Sequence, residues 1–161
     1  MHRGVRTTLV GLGLLLSAFA WAQVVWPDWN PPLLPGTTKS PVPAVFPSDV
    51  SIATPEEALP DLRKRWSGLW GGWACMEAVC ETRLAVERVS GDGASIIYVF
   101  ASTGVKSNPQ RVDAKFVGEE LHGTLASGSR VAYRFRPDGS IEFLFLPRVG
   151  NPVGGVLTRT K

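Results

Sequence analysis

From Gly68 onward, apolar and polar residues alternate in short runs separated by turn-forming residues. Val112, Ala114 and Phe116 alternate with Arg111, Asp113 and Lys115. Val131, Tyr133 and Phe135 alternate with Arg130, Ala132, Arg134 and Arg136. Ile141, Phe143 and Phe145 alternate with Ser140, Glu142 and Leu144. A period of two is that of a strand with one face on a core. The pattern predicts eight strands near 67–75, 80–89, 94–102, 111–117, 119–125, 129–136, 140–147 and 153–160. Ser90-Gly91-Asp92-Gly93, Ser127-Gly128-Ser129 and Arg136-Pro137-Asp138-Gly139 carry turn chemistry. Links this short join antiparallel neighbours; the exception is the polar loop 103–110, long enough to lie over an opening. The expected fold class is all-β: an eight-stranded antiparallel up-and-down barrel, with a two-sheet sandwich as the alternative. The third strand, Ile96-Ile97-Tyr98-Val99-Phe100, is apolar on both faces, so the leading helix, the linker or another chain must cover its outer side.

Upstream of Gly68 the pattern is different. Residues 1–22 read as a secretory signal peptide: Arg3 and Arg6 precede the apolar run 9–20, and Ala20-Trp21-Ala22 has the small-x-small form of a cleavage site. The alternative, a membrane anchor, needs the run stretched to Trp26 to approach the roughly 20 residues of a span. With the leader removed, no transmembrane segment remains, and the protein is secreted, periplasmic or extracellular. Nine prolines between Pro27 and Pro60 prevent a ladder or helix and read as a semi-stiff spacer. Trp26 and Trp29 either dock on a partner or membrane, or fold back onto the barrel. Thr54-Pro55-Glu56-Glu57 has the form of a capping box, and Pro60 can open a second helical turn through Trp66. Leu59, Leu62 and Trp66 would then share one face, with Arg63, Lys64 and Arg65 off it. The expected organisation is signal peptide 1–22, proline-rich linker 23–58 and small β-barrel 59–161, with the short helix flanking or plugging one end.

Composition changes this picture little. Hydrophobic residues make up 44% of the 161, ordinary for a globular chain. Removing Arg3 and Arg6 lowers the basic count from 17 to 15, against 14 acidic residues. That balance gives no electrostatic case for nucleic acid. The Ala, Gly, Arg and Pro content hints at a bacterial source. Cys75 and Cys80 are the only cysteines. In an exported chain they are expected to form a disulfide clamping the first hairpin, worth about 2 kcal/mol for so short a loop. A redox pair would want C-x-x-C at a helix start, and a metal site more than two thiols.

Gly68-Leu69-Trp70 resembles the Gly-x-Trp on the first strand of lipocalin-like (calycin-type) barrels. Arg159, in Val156-Leu157-Thr158-Arg159, falls where such barrels carry a basic residue stacked over that Trp. The resemblance covers about residues 59–161 and implies a cation–π contact tying the first strand to the last. The chain is shorter than a typical lipocalin and lacks the later helix. The Trp-Gly-Gly-Trp start and closing Leu-Thr-Arg are also similar to an uncharacterised β-domain appended to some secreted bacterial hydrolases; no hydrolase domain is present here.

Little chemistry stands out. His122, the one histidine beyond the leader, could be a base aided by Glu120 or a metal ligand, or an outward polar residue of a strand. No Gly-x-Ser-x-Gly or His-Glu-x-x-His occurs, and no cofactor or metal is expected. Arg111, Lys115, Arg130, Arg134 and Arg136 form a basic stripe, for a polyanion or for solubility with Glu142 and Asp113 as cross-strand partners. The sequence therefore points away from an enzyme. It leaves a non-catalytic interaction or scaffolding module that meets an envelope protein through the outer face of 96–100 and Trp26/Trp29, or a binder of a small apolar ligand lined by Tyr98, Phe116, Tyr133, Phe135 and Phe143.

Overall fold

A computed structural model describes residues 24–26, 42–74 and 80–161; the expected signal peptide, residues 27–41 of the proline-rich segment with Trp29 among them, and Cys75 lie outside them. Eight strands follow one another around a closed barrel, each antiparallel to its sequence neighbour, with the last pairing the first. They are β1 (Gly68–Ala74), β2 (Cys80–Val89), β3 (Gly93–Ser102), β4 (Gln110–Val117), β5 (Glu120–Thr124), β6 (Arg130–Phe135), β7 (Ile141–Leu146) and β8 (Val153–Arg159). Closure comes through five β1–β8 pairs, from Trp70↔Arg159 to Ala74↔Gly155. Glycine is required at this join. A Cβ on Gly72 would lie 2.0 Å from the Val156 carbonyl oxygen, and one on Gly155 would lie 2.0 Å from that of Trp73. The Trp-Gly-Gly-Trp run thus lets two strands approach where the sheet curls shut.

The inward positions of the alternation form one core, including Trp70, Leu84, Ile96, Leu121, Tyr133 and Phe143. The helix differs from expectation. No helix forms over Thr54–Leu59; Leu59 N–H closes a turn on the Glu56 carbonyl instead. Among the described residues the one helix is α1 (Asp61–Lys64), a single turn opened by Pro60, which makes no side-chain cap bond. Two prolines five residues apart leave too little chain for an earlier turn to propagate. Leu62 is 49% exposed, so it does not share the buried face with Leu59 and Trp66.

The proline-rich segment is also not a free spacer where it is described. Residues 42–53 lie against the outer wall. Ala44 is fully buried in a second apolar cluster with Ala85, Ile97, Val99 and Ala101, flanked by Val42, Phe46, Val50 and Leu69. The two-faced third strand is therefore covered by its own chain. Prolines remove ladder donors but leave apolar side chains free to pack, and the remaining donors find side chains and carbonyls. Ala44 N–H donates to Glu81 Oε2 (3.0 Å), and Val45 N–H to Ser107 Oγ (2.9 Å), which pins the 103–110 loop to this strap. A register shift between Val86 and Arg88 makes Glu87 the extra residue of a bulge. Its carbonyl accepts the Ala53 N–H (2.8 Å), and its carboxylate accepts the Ser51 N–H (3.3 Å) and holds Arg111.

Replacing Ala44 with Glu places a charge in this cluster. Denaturant unfolding is expected to show a loss of about 2 kcal/mol, with faster amide exchange in residues 42–53. Unchanged stability and exchange would mean that the strap does not depend on the buried alanine.

Candidate functional site

One end of the barrel is sealed by residues from the Arg65–Trp70 stretch. Trp66 is fully buried across the end; its ring centroid lies 4.5 Å from that of Phe135 and 6.0 Å from that of Phe116. Trp70 Nε1 donates to the Trp66 carbonyl (3.1 Å), and its ring meets Phe135 edge-on at 5.7 Å. The Arg159 guanidinium carbon sits 4.3 Å from the centre of the Trp70 ring. Its two terminal nitrogens donate to the carbonyls of Ser67 (2.8 Å) and Arg65 (2.7 Å). One planar cation therefore joins the last strand, the first strand and the chain entering it. Gly68 has φ 127°, and a Cβ there would fall 2.5 Å from an Arg159 nitrogen. The Gly of Gly-x-Trp thus leaves the space that the arginine fills. Arg63 and Arg65 are not simply solvated: they lie 3.7 Å and 3.9 Å over the rings of Phe116 and Phe135.

The five residues expected to line a ligand space all face inward, but they divide into two groups. Phe116 and Phe135 belong to the sealed end, beneath Trp66. Tyr98, Tyr133 and Phe143 lie deeper and contact one another, with centroids 5.9 Å apart for Tyr98–Phe143 and 5.7 Å for Tyr133–Phe143. Phe145, which the expected lining omitted, stacks on Tyr98 at 6.3 Å. Burial pushes both tyrosine phenols up, and a bond with Thr82 opposes this at Tyr98. The Tyr133 hydroxyl is fully buried and has no hydrogen-bond partner among the described residues. Toward the other end, Phe100, Phe145 and Val153 are only half-buried. Cys80 is buried at the start of β2; its expected partner Cys75 lies outside the described residues.

The outer wall carries the remaining polar groups. His122 Nε2 lies 2.7 Å from Glu120 Oε2, while Glu120 Oε1 accepts the Trp26 indole N–H at 2.6 Å. Trp26 also lies 4.3 Å from the Arg134 guanidinium, so it folds back onto β5 and β6. Most of the basic stripe is neutralised in place. Arg111 pairs with Glu87 and Asp49, each at 3.0 Å, and these bonds raise its pKa. Lys115 pairs with Asp92 and Arg134 with Glu142. Asp113 is not the expected cross-strand ion partner; it accepts from Ser95 instead. The alternation reads Ala132, Leu144 and Glu142 as outward, yet the first two are fully buried and Glu142 is 4% exposed, its Oε1 without a partner among the described residues. Strand period assigns a face but does not say whether another segment lies over it.

Two clefts flank β4. One, of about 460 Å³, lies between the strap and β4, with Ser51, Glu87, Arg88, Arg111 and Asp113 in its walls. The other, of about 530 Å³, opens between β4 and β5 over Val112 and Leu125, rimmed by Asp113, Lys115, His122 and Thr124. Sequence reasoning missed both, because they depend on the strap's course and on where a ladder stops. Among the described residues, no group of three or more potential metal ligands converges, and no helix is long and apolar enough to cross a membrane. No family model, curated protein or solved structure matches the chain.

Arg159→Ala is expected to lower the unfolding free energy by about 1–2 kcal/mol, read from denaturant midpoints. Arg159→Lys should recover only part of this, because one ammonium cannot cover the ring and reach both carbonyls. An unchanged midpoint for Arg159→Ala would show that the end is sealed without it.

Proposed function

We propose that this chain is a non-catalytic interaction or scaffolding module of lipocalin-like build. We place it in the periplasm or outside a bacterial cell, with a disulfide between Cys75 and Cys80. The observation that supports the reading is the filling of the interior: the side chains that would line a ligand pocket pack against one another or against the buried tryptophan plug. Close-packed aromatics leave little to gain from an apolar guest. Contact with a partner then falls to the outer wall, where the strap and two clefts shape the surface around β4. His122 fits a structural role in this reading, since its bond to Glu120 leads on to Trp26 and holds the leading segment to the wall.

The second reading, a carrier of a small apolar ligand, draws on two features. These are the unpartnered Tyr133 hydroxyl inside the barrel and the half-buried Phe100, Phe145 and Val153 toward the unplugged end. A ligand with one acceptor could bond that hydroxyl.

Thermal unfolding in the presence of fatty acids and haem separates the two. The interaction reading expects no saturable shift, and Tyr133→Phe to be neutral or stabilising by about 1 kcal/mol, because it removes a buried donor without a partner. A saturable rise in Tm, lost in Tyr133→Phe, would establish the carrier instead. The disulfide is tested separately by thiol titration of unfolded, non-reduced protein: no free thiol is expected, and two would contradict it.

A further inference from the structure

The β4–β5 ladder is the shortest in the barrel; its pairs run only from Lys115↔His122 to Val117↔Glu120. In an antiparallel strand, successive residues turn their N–H and C=O to opposite neighbours. Phe116 N–H points to the β3 side, donating to the Asp92 carbonyl at 2.9 Å. Residues Lys115 and Val117 therefore face β5, and so, by the same period, do Arg111 and Asp113. These two have no partner in the β5 register, although β4 remains paired to β3 from Gln110 to Lys115. Across the seam, Thr124 turns its N–H and C=O toward β4, since the next residue, Leu125, donates the other way to the Ser129 carbonyl. Among the described residues, the barrel thus carries a short stretch of unpaired strand edge on both sides of an open cleft, which is the feature that strand addition exploits.

The cleft has a chemical polarity. Its floor is apolar: Val112 and Leu125 come from the core side, and Gly123, where a Cβ would lie 3.1 Å from Val112 Cγ1, makes room for that valine. Its rim holds Lys115, already tied to Asp92; His122, tied to Glu120; Asp113, whose carboxylate accepts from the Ser95 hydroxyl; and Thr124. Directly opposite Thr124 on β6 stands Arg130, which forms no ion pair among the described residues. A segment entering here meets backbone donors and acceptors along its length, apolar contacts on one side and a cation on the other.

We propose that the β4–β5 seam receives an extended peptide with alternating apolar and acidic residues. Its backbone bonds the free groups of Arg111, Asp113 and Thr124, its apolar side chains cover Val112 and Leu125, and a carboxylate meets Arg130. This rests on the interaction-module reading and names the partner's chemistry.

The probes are two blocked hexapeptides, Val-Glu-Val-Glu-Val-Glu and Val-Lys-Val-Lys-Val-Lys, added to ¹⁵N-labelled protein. The glutamate peptide is expected to move the amide signals of Arg111, Asp113 and Thr124 saturably and to slow exchange at Arg111 and Asp113. Arg130→Glu should weaken that peptide about tenfold and shift preference to the lysine peptide. Asp113→Pro removes a seam donor without touching the β3 ladder and should abolish binding while the remaining amide spectrum persists. Protected amides at Arg111 and Asp113 in the free protein would show a closed seam and overturn the proposal while leaving the interaction-module reading standing. Saturable shifts confined to another surface, or none with either peptide, would overturn it equally. A saturable fatty-acid response would instead defeat the underlying reading.

Discussion

The Arg159 guanidinium holds the ends of the barrel together. A closed sheet has no free edges only if its first and last strands pair, and strand pairing alone frays at a chain terminus. Here the last residue of β8 lies over the Trp70 ring and bonds two carbonyls of the chain that leads into β1. The entering chain is thereby turned across the barrel end, which places Trp66 on Phe116 and Phe135. The same turn sets Arg63 and Arg65 over those rings from the solvent side. Gly68 is the counterpart of this contact, since any side chain there would occupy the guanidinium's place.

A second constraint follows from the size of the barrel. A domain this small cannot place all of its apolar residues inside one ring of short strands. It therefore builds a second layer, using residues 42–50 to cover the outer faces of Ala85, Ile97 and Val99. The bulge at Glu87 supplies the fastening. It frees a carbonyl for Ala53 and sets a carboxylate against Arg111, which also holds Asp49 of the strap. Arg111 keeps the Asp49 carboxyl below its usual range, so this tie is present near neutrality and weakens only as pH falls through the acid range.

Much of this was legible in the chain. Alternation placed the eight strands and the inward residues, because one buried face imposes a period of two. The stacking of the late Arg on the Trp of Gly-x-Trp was legible through the resemblance to lipocalin-like barrels, which implied that pair. The capping box at Thr54 misled, since a local helix signal cannot propagate into Pro60. The linker misled for the opposite reason. Its prolines rightly excluded a ladder, but Val42, Ala44, Phe46 and Val50 carried an apolar period of their own that proline content obscured. The divided aromatic set, the burial of Ala132 and Leu144, and the open seam were not legible. Each depends on register or on a covering segment, and composition encodes neither.

The account turns on the contact at the sealed end, and proton NMR observes it directly. Nuclear Overhauser cross-peaks between the Arg159 side-chain protons and the Trp70 indole ring are predicted, with the Arg159 methylene signals moved upfield by the ring current. Absence of these cross-peaks, with Arg159 side-chain shifts at their solvent-exposed values, would contradict the closure described.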